Sequence, residues 1–249
     1  GSATFRLGKI AVNDLPVASP DSAVTTVGTK AKINVLTNDT GGTKALKVQS
    51  VTQPTGGTVT VDDWIYAGGE FTNIGGQPRN KIARLYSSDG TADPSFNPNA
   101  DNTVIAIALD ANGNPLVGGD FTNIGGQSRN RIARLNSSNG TADPTFNPNA
   151  DNSVWAIALD ANNNPVVGGN FTTIGGQLRN RIARLNSSNG TADATFNPDA
   201  NNFVRAIALD ANGNPVVGGD FTNIGGQPRN QVARLNANTG LADATFNPN

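Results

Sequence analysis

Short apolar runs separated by glycine- and asparagine-rich turns fill most of the chain, and one arrangement of them returns every 50 residues. Within one repeat, Thr103–Asp110 is apolar on both faces, which is typical of a strand buried on both sides. Pro115–Phe121 follows an Asn-Gly turn as a second strand, and Arg131–Asn136 alternates like a half-exposed third strand. Thr141–Pro148 contains two prolines, which restrict it to a sheet edge. The pattern predicts four antiparallel strands per repeat, ordered from most buried to most exposed.

The repeat itself predicts the architecture. No segment has the apolar period of a helix, so the fold class is all-β. Residues 101–150 and 151–200 differ at nine of 50 aligned positions. A fixed period of this length predicts a β-propeller of four blades, each a four-stranded sheet of about 50 residues. We favour a ring closed within one chain; an arc cut from a larger propeller, or eight blades from two chains, are the alternatives.

The first repeat begins abruptly. Trp64–Phe71 supplies its second strand, but no run like Thr103–Asp110 precedes it. Thr58–Val61 either fills that inner position or belongs to the preceding segment. The predicted domains are residues 1–56, a partial β-sandwich segment, and residues 57–249, the propeller.

The motif "GG-x-F-T-x-I-GG" followed by "RN-x-x-ARLN" resembles the delta-sixty type repeat of bacterial secreted and surface proteins, over roughly residues 64–249. That resemblance implies a β-propeller in an extracellular or cell-surface setting. It implies no established catalytic residues.

The amino-terminal part has a different pattern. Short β-branched runs at Ala23–Val27, Lys32–Leu36, Leu46–Val51 and Thr58–Val61 predict part of an all-β sandwich. "PVASPDS", "INVLTNDT" and "VTQPTGGTVTV" resemble the first half of the Ig-like or cadherin-like modules of bacterial surface adhesins. Residues 3–12 resemble the last strand of such a module. The partial sandwich must fold onto the propeller, close on itself by using residues 3–12, or borrow a strand from another chain, in which case residues 3–12 are a donor strand.

The composition limits the kinds of partner and active site that can be expected. Lys and Arg total 18 and Asp and Glu 19, so a net charge of −1 gives no reason to expect nucleic acid as a partner. With no His and no Cys, the usual neutral-pH base, thiol nucleophile and zinc ligands are missing. No apolar stretch is long enough to span a membrane. We therefore expect no enzyme and no cofactor, except for calcium as considered below.

Two sets of residues are candidates for ligand contact. One recurs in the loop before each third strand, on a scaffold suited to binding: Arg79, Asn80, Arg129, Asn130, Arg179, Asn180, Arg229 and Asn230. Alternatively, each arginine pairs with a carboxylate among Asp93, Asp143, Asp193 and Asp243. The second set varies on the fixed frame, with Ile105, Trp155 and Arg205 at one equivalent position. Variation there suits specific recognition, although drift explains it equally well.

A calcium site is the one metal hypothesis. Oxygen-bearing side chains alternate in three loops, as calcium ligands do. They are Asp110, Asn112, Asn114, Asp160, Asn162, Asn164, Asp210, Asn212 and Asn214. The alternative is a plain hairpin turn, which Asn-Gly favours.

Four functions follow from these observations. The first is a non-enzymatic extracellular surface module for adhesion, display or scaffolding, with a protein or glycan partner at the cell surface. The second is a lectin-like, glycan-binding propeller, and the third is a fibre subunit that assembles with copies of itself by strand exchange. The fourth, an enzyme with paired carboxylates, is disfavoured because nothing interrupts the repeat as an active site would.

Overall fold

The computed structural model describes residues 2–6, 22–26 and 64–248. Within these ranges every regular element is a β-strand, and no helix is long and apolar enough to cross a membrane. The chain divides into two units, residues 1–63 and residues 64–249. The predicted boundary at residues 56/57 lies outside the described residues, as do the strands predicted at Lys32–Leu36, Leu46–Val51 and Thr58–Val61.

The described residues of the first unit form an antiparallel pair, β1 (Ser2–Arg6) with β2 (Ser22–Thr26). The register places Ser2 opposite Thr26 and Arg6 opposite Ser22. The segment predicted as a closing or donor strand therefore pairs within its own chain, over its first residues. Strand exchange would require this pair to open.

The second unit contains four repeats, at residues 64–100, 101–150, 151–200 and 201–248. The first holds β3 (Trp64–Gly68), β4 (Asn73–Ile74), β5 (Gln77–Pro78) and β6 (Ile82–Tyr86). The second holds β7 (Val104–Leu109), β8 (Pro115–Gly119), β9 (Asn123–Ile124), β10 (Gln127–Ser128) and β11 (Ile132–Arg134). The third holds β12 (Val154–Leu159), β13 (Pro165–Gly169), β14 (Thr173–Ile174), β15 (Gln177–Leu178) and β16 (Ile182–Arg184). The fourth holds β17 (Val204–Leu209), β18 (Pro215–Gly219), β19 (Asn223–Ile224), β20 (Gln227–Pro228) and β21 (Val232–Arg234).

Each of the last three repeats is one antiparallel sheet with its second strand in the middle, as in the order β7-β8-β11, plus a small hairpin such as β9–β10. The first repeat has the pairs β3–β6 and β4–β5, and its inner position is not occupied by a described strand. Consecutive inner strands pack against one another, β12 lying between β7 and β17. This is the all-β, four-repeat arrangement of propeller blades that the period predicts.

The predicted fourth strand, Thr141–Pro148, is reduced to a single bridge between Leu135 and Ala142. Proline is not the general reason, because the third repeat has Ala194 at that position and also forms only a bridge. The Asp193 carboxylate instead accepts the Thr195 N–H at 2.8 Å and turns the backbone away from the sheet.

The predicted order of burial is also wrong. The second strand, β8, is buried at all five residues, whereas Ile105 and Leu109 of the inner strand are exposed. β8 is the most covered because it has a strand on each side. The inner strand is a sheet edge, so apolar character on both faces did not imply complete burial.

The hydrophobic core lies between repeats rather than inside them. Ile82 and Phe96 of the first repeat share one cluster with Val104, Val117 and others of the second. The same grouping recurs at the next two junctions. The predicted inter-repeat packing of the phenylalanines is confirmed for Phe96, Phe121, Phe146, Phe171, Phe196 and Phe221, all fully buried. Phe71 and Phe246, in the two end repeats, are only half-buried.

The preferred expectation of a ring closed within one chain is not met among the described residues. Val232 of the last repeat is 37% exposed, whereas its equivalents Ile132 and Ile182 are fully buried. The fourth repeat therefore lacks the cover that each earlier repeat receives from the next, and the four repeats form an open arc.

Candidate functional site

The loop arginines lie inside the fold. Arg79 Nη1 donates to the carbonyl of Pro78 at 2.7 Å, and Nη2 donates to the carbonyl of Asp93 at 2.9 Å. Arg129, Arg179 and Arg229 make the same pair of contacts in their repeats. All four residues are only 6–7% exposed. They tie the small hairpin to the outer loop, so this placement favours the structural interpretation over ligand contact.

The neighbouring asparagines also hold a loop through hydrogen bonds. Asn80 Nδ2 donates to Asn99 Oδ1 at 2.6 Å, and Asn130 donates to Asn149 in the same way. Asn180 donates to Asp199 Oδ1 at 2.7 Å, and Asn230 is also partnered. The acceptors sit at positive φ, near 52° for Asn99 and Asn149, where short polar side chains are tolerated. These contacts therefore fix the loop that leads to the next repeat.

Sequence reasoning assigned the carboxylates to the wrong arginines. Asp93, Asp143, Asp193 and Asp243 pair through their side chains with Arg84, Arg134, Arg184 and Arg234 of the "ARL" segment. The loop arginines reach only the backbone carbonyls of these aspartates. The recurrence of an Arg nine residues before each Asp was the available signal, but the loop arginine recurs just as regularly in the sequence.

The environment of these carboxylates favours the charged form. Burial alone would raise the pKa of Asp193, but hydrogen bonds from the Thr195 hydroxyl, the Arg184 guanidinium and the Thr195 N–H outweigh it and lower the pKa to about 2. The Arg184 guanidinium also lies 5.1 Å from the centre of the Phe196 ring. Each such arginine is thus held by a carboxylate and an aromatic face.

The candidate calcium loops form hairpin turns. Asp110 Oδ1 accepts the N–H groups of Asn112 and Asn114 at 2.9 and 2.8 Å, and Asn114 Oδ1 accepts the N–H of Ser137 at 3.1 Å. The loops at Asp160 and Asp210 repeat this bonding. No group of three or more acidic side chains suited to a metal occurs within residues 64–248. Because the oxygens already serve the turn, the geometry accounts for the motif without a cation, and calcium binding stays a prediction.

The variable position occupied by Ile105, Trp155 and Arg205 lies at a β-bulge, which the sequence did not reveal. In each inner strand the pairing slips at this residue: Val154 pairs with Gly169 and Ala156 with Gly168, so Trp155 is the extra residue of a β-bulge. Ile105 and Arg205 occupy the same bulge in their repeats. A bulge re-aims one side chain without disturbing the rest of the sheet. The side chain at this bulge can therefore differ between repeats without disturbing the pairing of the sheet.

Two of these bulge residues come together. Trp155 and Phe203 lie edge to face with ring centres 5.3 Å apart. The Arg205 guanidinium lies 5.2 Å from the Trp155 ring and 5.6 Å from the Phe203 ring, and Arg181 lies 5.4 Å from Phe203. We call these four residues the aromatic–arginine patch. Ile105, in the second repeat, has no such neighbours described.

Phe203 was missed from the sequence. Its equivalents are Thr103 and Ser153, so it is a second variable position, one residue before the strand. Ser153 uses its hydroxyl to bond Asp120, a contact that phenylalanine cannot make. The change from a small hydroxyl to an aromatic ring beside a bulge was the available signal.

The patch carries an exposed ion pair. Arg205 Nε donates to Asp220 Oδ1 at 2.9 Å and Nη2 donates to Oδ2 at 2.5 Å, and the two side chains are 55% and 40% exposed. The hydrogen bond from Arg205 lowers the pKa of Asp220, and the same bond raises that of Arg205. Both groups stay charged at neutral pH. Chemically, the patch offers aromatic surface with adjacent donors and acceptors, which suits binding.

Radially repeated antiparallel sheets that pack face to face define the chain's second unit as a β-propeller. Four segments, residues 62–96, 110–146, 166–196 and 210–246, match the family described as "Domain of unknown function (DUF5122) beta-propeller". These segments make up more than half of the chain, and the protein belongs to that family. Residues 13–75 match the bacterial Ig domain family, in agreement with the sequence resemblance.

Among curated proteins no relative matches. Solved structures with some similarity include the WD40 β-propeller domain of Doa1, with 17% identity, a TM-score of 0.40, and 55% of this chain and 40% of that chain covered. The extracellular domain of the one-component system BT4673 from B. thetaiotaomicron has 16% identity and a TM-score of 0.42, with 74% and 20% covered. PorZ, a surface component of the type-IX secretion system of Porphyromonas gingivalis, has 15% identity and a TM-score of 0.36, with 72% and 25% covered. The chain spans two fifths or less of each of these proteins.

Proposed function

We propose that the protein is a non-enzymatic module of a bacterial extracellular surface, serving in adhesion and contacting its partner through the aromatic–arginine patch. The observation that carries this proposal is the convergence of Trp155 and Arg205, two bulge residues from successive repeats, with Phe203 beside both. The bacterial Ig match supports a surface setting, since such modules belong to adhesins by the resemblance given above.

Residue chemistry at the patch supports binding. Tryptophan, tyrosine and arginine are enriched among the few residues that supply most of the binding energy at protein-recognition surfaces, and aromatic rings bury a large apolar area. Elsewhere the loop arginines hold the backbone of their own repeat, and the arginines of the "ARL" segments pair with carboxylates that are at most 29% exposed. Arg205 is different, since its guanidinium bonds to the exposed carboxylate of Asp220.

Adhesion is tested with beads coated with the whole chain, washed under flow over collagen-coated and mucin-coated glass. The test variant is Trp155→Ala combined with Arg205→Ala, and the matched control is Ile105→Ala, the same bulge without the patch. We expect several-fold more retention of wild-type and control beads than of the double variant on at least one surface. Equal retention of all three, or no retention above bare beads, would refute adhesion through this patch.

Glycan binding is a second candidate, favoured by the half-buried Trp155 ring beside an exposed carboxylate–guanidinium pair. Sugar rings stack on indole through their C–H faces while hydroxyl groups bond to charged neighbours. A glycan array with fluorescently labelled protein distinguishes the two: array signals lost in Trp155→Ala, with retention on mucin alone, identify a lectin. A blank array with retention on collagen identifies protein adhesion and excludes the lectin.

A further inference from the structure

Every junction between consecutive repeats is built from the same contacts. The second strand of one repeat offers a glycine, at Gly68, Gly118 or Gly168, against which the next inner strand places Val104, Val154 or Val204. A Cβ added at these glycines would lie 2.6–2.8 Å from the valine methyl group. The glycine is therefore what allows the next repeat to approach.

A polar contact accompanies this packing. Arg84 of the first repeat donates to the carbonyl of Ser137 in the second, Arg134 to that of Ser187, and Arg184 to that of Ala237. The acceptor is always the first residue of the outer turn of the following repeat. Each junction thus combines an apolar seam with one arginine that crosses it.

The fourth repeat carries the first half of such a junction without the second. Among the described residues, a Cβ added at Gly218 would meet only Gln231 O at 3.8 Å and Ala206 Cβ at 4.0 Å, both from its own repeat. The Arg234 side chain is 33% exposed, against 7–16% for its three equivalents, and no described residue accepts from it across a junction. We call Val216, Gly218, Val232, Arg234 and Phe246 the trailing face.

The first repeat carries the opposite half. Ala67, Ala83, Leu85 and Ala92 form a small cluster of their own with Phe71 and Ile74. Phe71 and Ile74 are half-buried, whereas their equivalents Phe121 and Ile124 are fully buried within a junction. Ser87 and Ser88, the equivalents of the acceptor residues, are exposed. We call this the leading face.

We propose that the trailing face of one molecule docks the leading face of a second copy of this chain. The two faces are the separated halves of a junction that the molecule already makes three times, so the apolar residues and the arginine–carbonyl pair have counterparts. The residues before Trp64 lie outside the described part of the chain, and the docking rests on the cluster and the turn within residues 64–100. Contact between different faces is heterologous, so it leads to a ring or to an open filament.

This head-to-tail docking is independent of the adhesive patch and uses a different surface from the β1–β2 pair. The perturbing variant is Val232→Glu, which buries a carboxylate without a partner if the face is covered. The control is Leu241→Glu, in the same repeat. Position 241 and its equivalents Thr141 and Thr191 are exposed in every repeat, so it lies outside the junctions.

Sedimentation velocity of the full chain, from low to high micromolar concentration, measures self-association. We expect wild-type and Leu241→Glu protein to form oligomers as concentration rises, and Val232→Glu to associate at least about ten-fold more weakly. Circular dichroism checks that both variants keep the wild-type fold. A wild-type chain that stays monomeric throughout, or a Val232→Glu chain that associates like wild type, would overturn the proposal.

Mixing distinguishes head-to-tail docking from pairing of two trailing faces. A fluorescently labelled Val232→Glu chain still has its leading face, so we expect it to sediment with excess unlabelled wild type. Its failure to do so, while wild type self-associates, would show that the trailing faces pair with each other and would contradict the proposal.

Discussion

Gly118 and Gly218 are matched positions, and alanine at each should have opposite effects. Both lie in second strands, and each pairs with an inner strand on one side and a third strand on the other. Neither is at positive φ, so alanine suits both backbones. They differ in that Gly118 faces Val154 of the next repeat, whereas Gly218 faces no other repeat within residues 64–248.

At Gly118 a Cβ would lie 2.8 Å from Val154 Cγ1 and 3.0 Å from the Val154 carbonyl oxygen. Favourable contacts begin near 3.5 Å, and a backbone oxygen cannot move aside as a side chain does. Overpacking of this kind costs about 1–3 kcal/mol. At Gly218 the nearest atom is 3.8 Å away, so only the entropic gain of about 0.4–1 kcal/mol remains.

We therefore expect Gly118→Ala to lower the unfolding temperature and Gly218→Ala to leave it unchanged or raise it. The entropic gain is common to both variants, so the difference between them should be the overpacking cost of about 1–3 kcal/mol, which corresponds to roughly 2–12 °C for a domain of this size. Thermal unfolding followed by far-ultraviolet circular dichroism, at a dilution that keeps the chain monomeric, measures it. Equal destabilisation by the two variants would mean that the fourth repeat is covered like the others, and a neutral Gly118→Ala would mean that the close junction is absent.

Three further predictions concern single groups. The pKa of Asp193 is about 2 in the folded chain and near 4 in the unfolded chain, so its contribution to folding stability should be complete above about pH 4 and decline as pH falls toward 2. Urea titrations between these pH values should show a shallower loss of stability for Asp193→Asn than for wild type. An identical loss would contradict the pairing of Asp193 with Arg184. Arg129→Ala should destabilise the fold by about 2–3 kcal/mol, since the buried guanidinium of Arg129 donates hydrogen bonds to the backbone carbonyls of Ser128 and Asp143. Arg205→Ala should leave stability nearly unchanged, because its ion pair with Asp220 is exposed. The reverse order in urea titrations would place the functional arginine in the loop. Calcium should raise the unfolding temperature no more than magnesium does, because the Asp110 carboxylate already accepts two backbone N–H groups. A rise that is specific to calcium and that Asp110→Ala abolishes would show that this loop binds calcium after all.

The number of repeats, the strand class and three of the four strands in each repeat could be predicted from sequence, because period and alternation are local properties. The absence of a regular fourth strand could not be predicted, since it depends on one carboxylate, Asp143 or Asp193, that accepts a backbone N–H two residues later and forms a turn. The alternation of apolar and polar residues also could not show that the inner strand is a sheet edge. Ile105 is exposed at that edge although its sequence neighbours are apolar.

For the candidate site, sequence reasoning found Trp155 and Arg205 because they break the repeat. It could not place them together, since they are one period apart and meet only when successive inner strands pack side by side. The loop arginines were found for their regularity, which here reflects structure: Arg79 and Arg129 hold backbone carbonyls in each repeat. The open face of the fourth repeat had almost no signal in the sequence, because it keeps the glycine, arginine and phenylalanine of the covered faces and differs from the third repeat only by Val232 in place of Ile182.

The most direct test of the open arc uses the absence of cysteine from the chain. Val232→Cys and Ile132→Cys place one thiol at equivalent positions of the fourth and second repeats. In dilute, folded protein we predict that the thiol at 232 reacts with a maleimide dye almost as fast as in denaturant, while the thiol at 132 reacts only on unfolding. Equal protection of both thiols would mean that the four repeats close on themselves, and the open arc would be wrong.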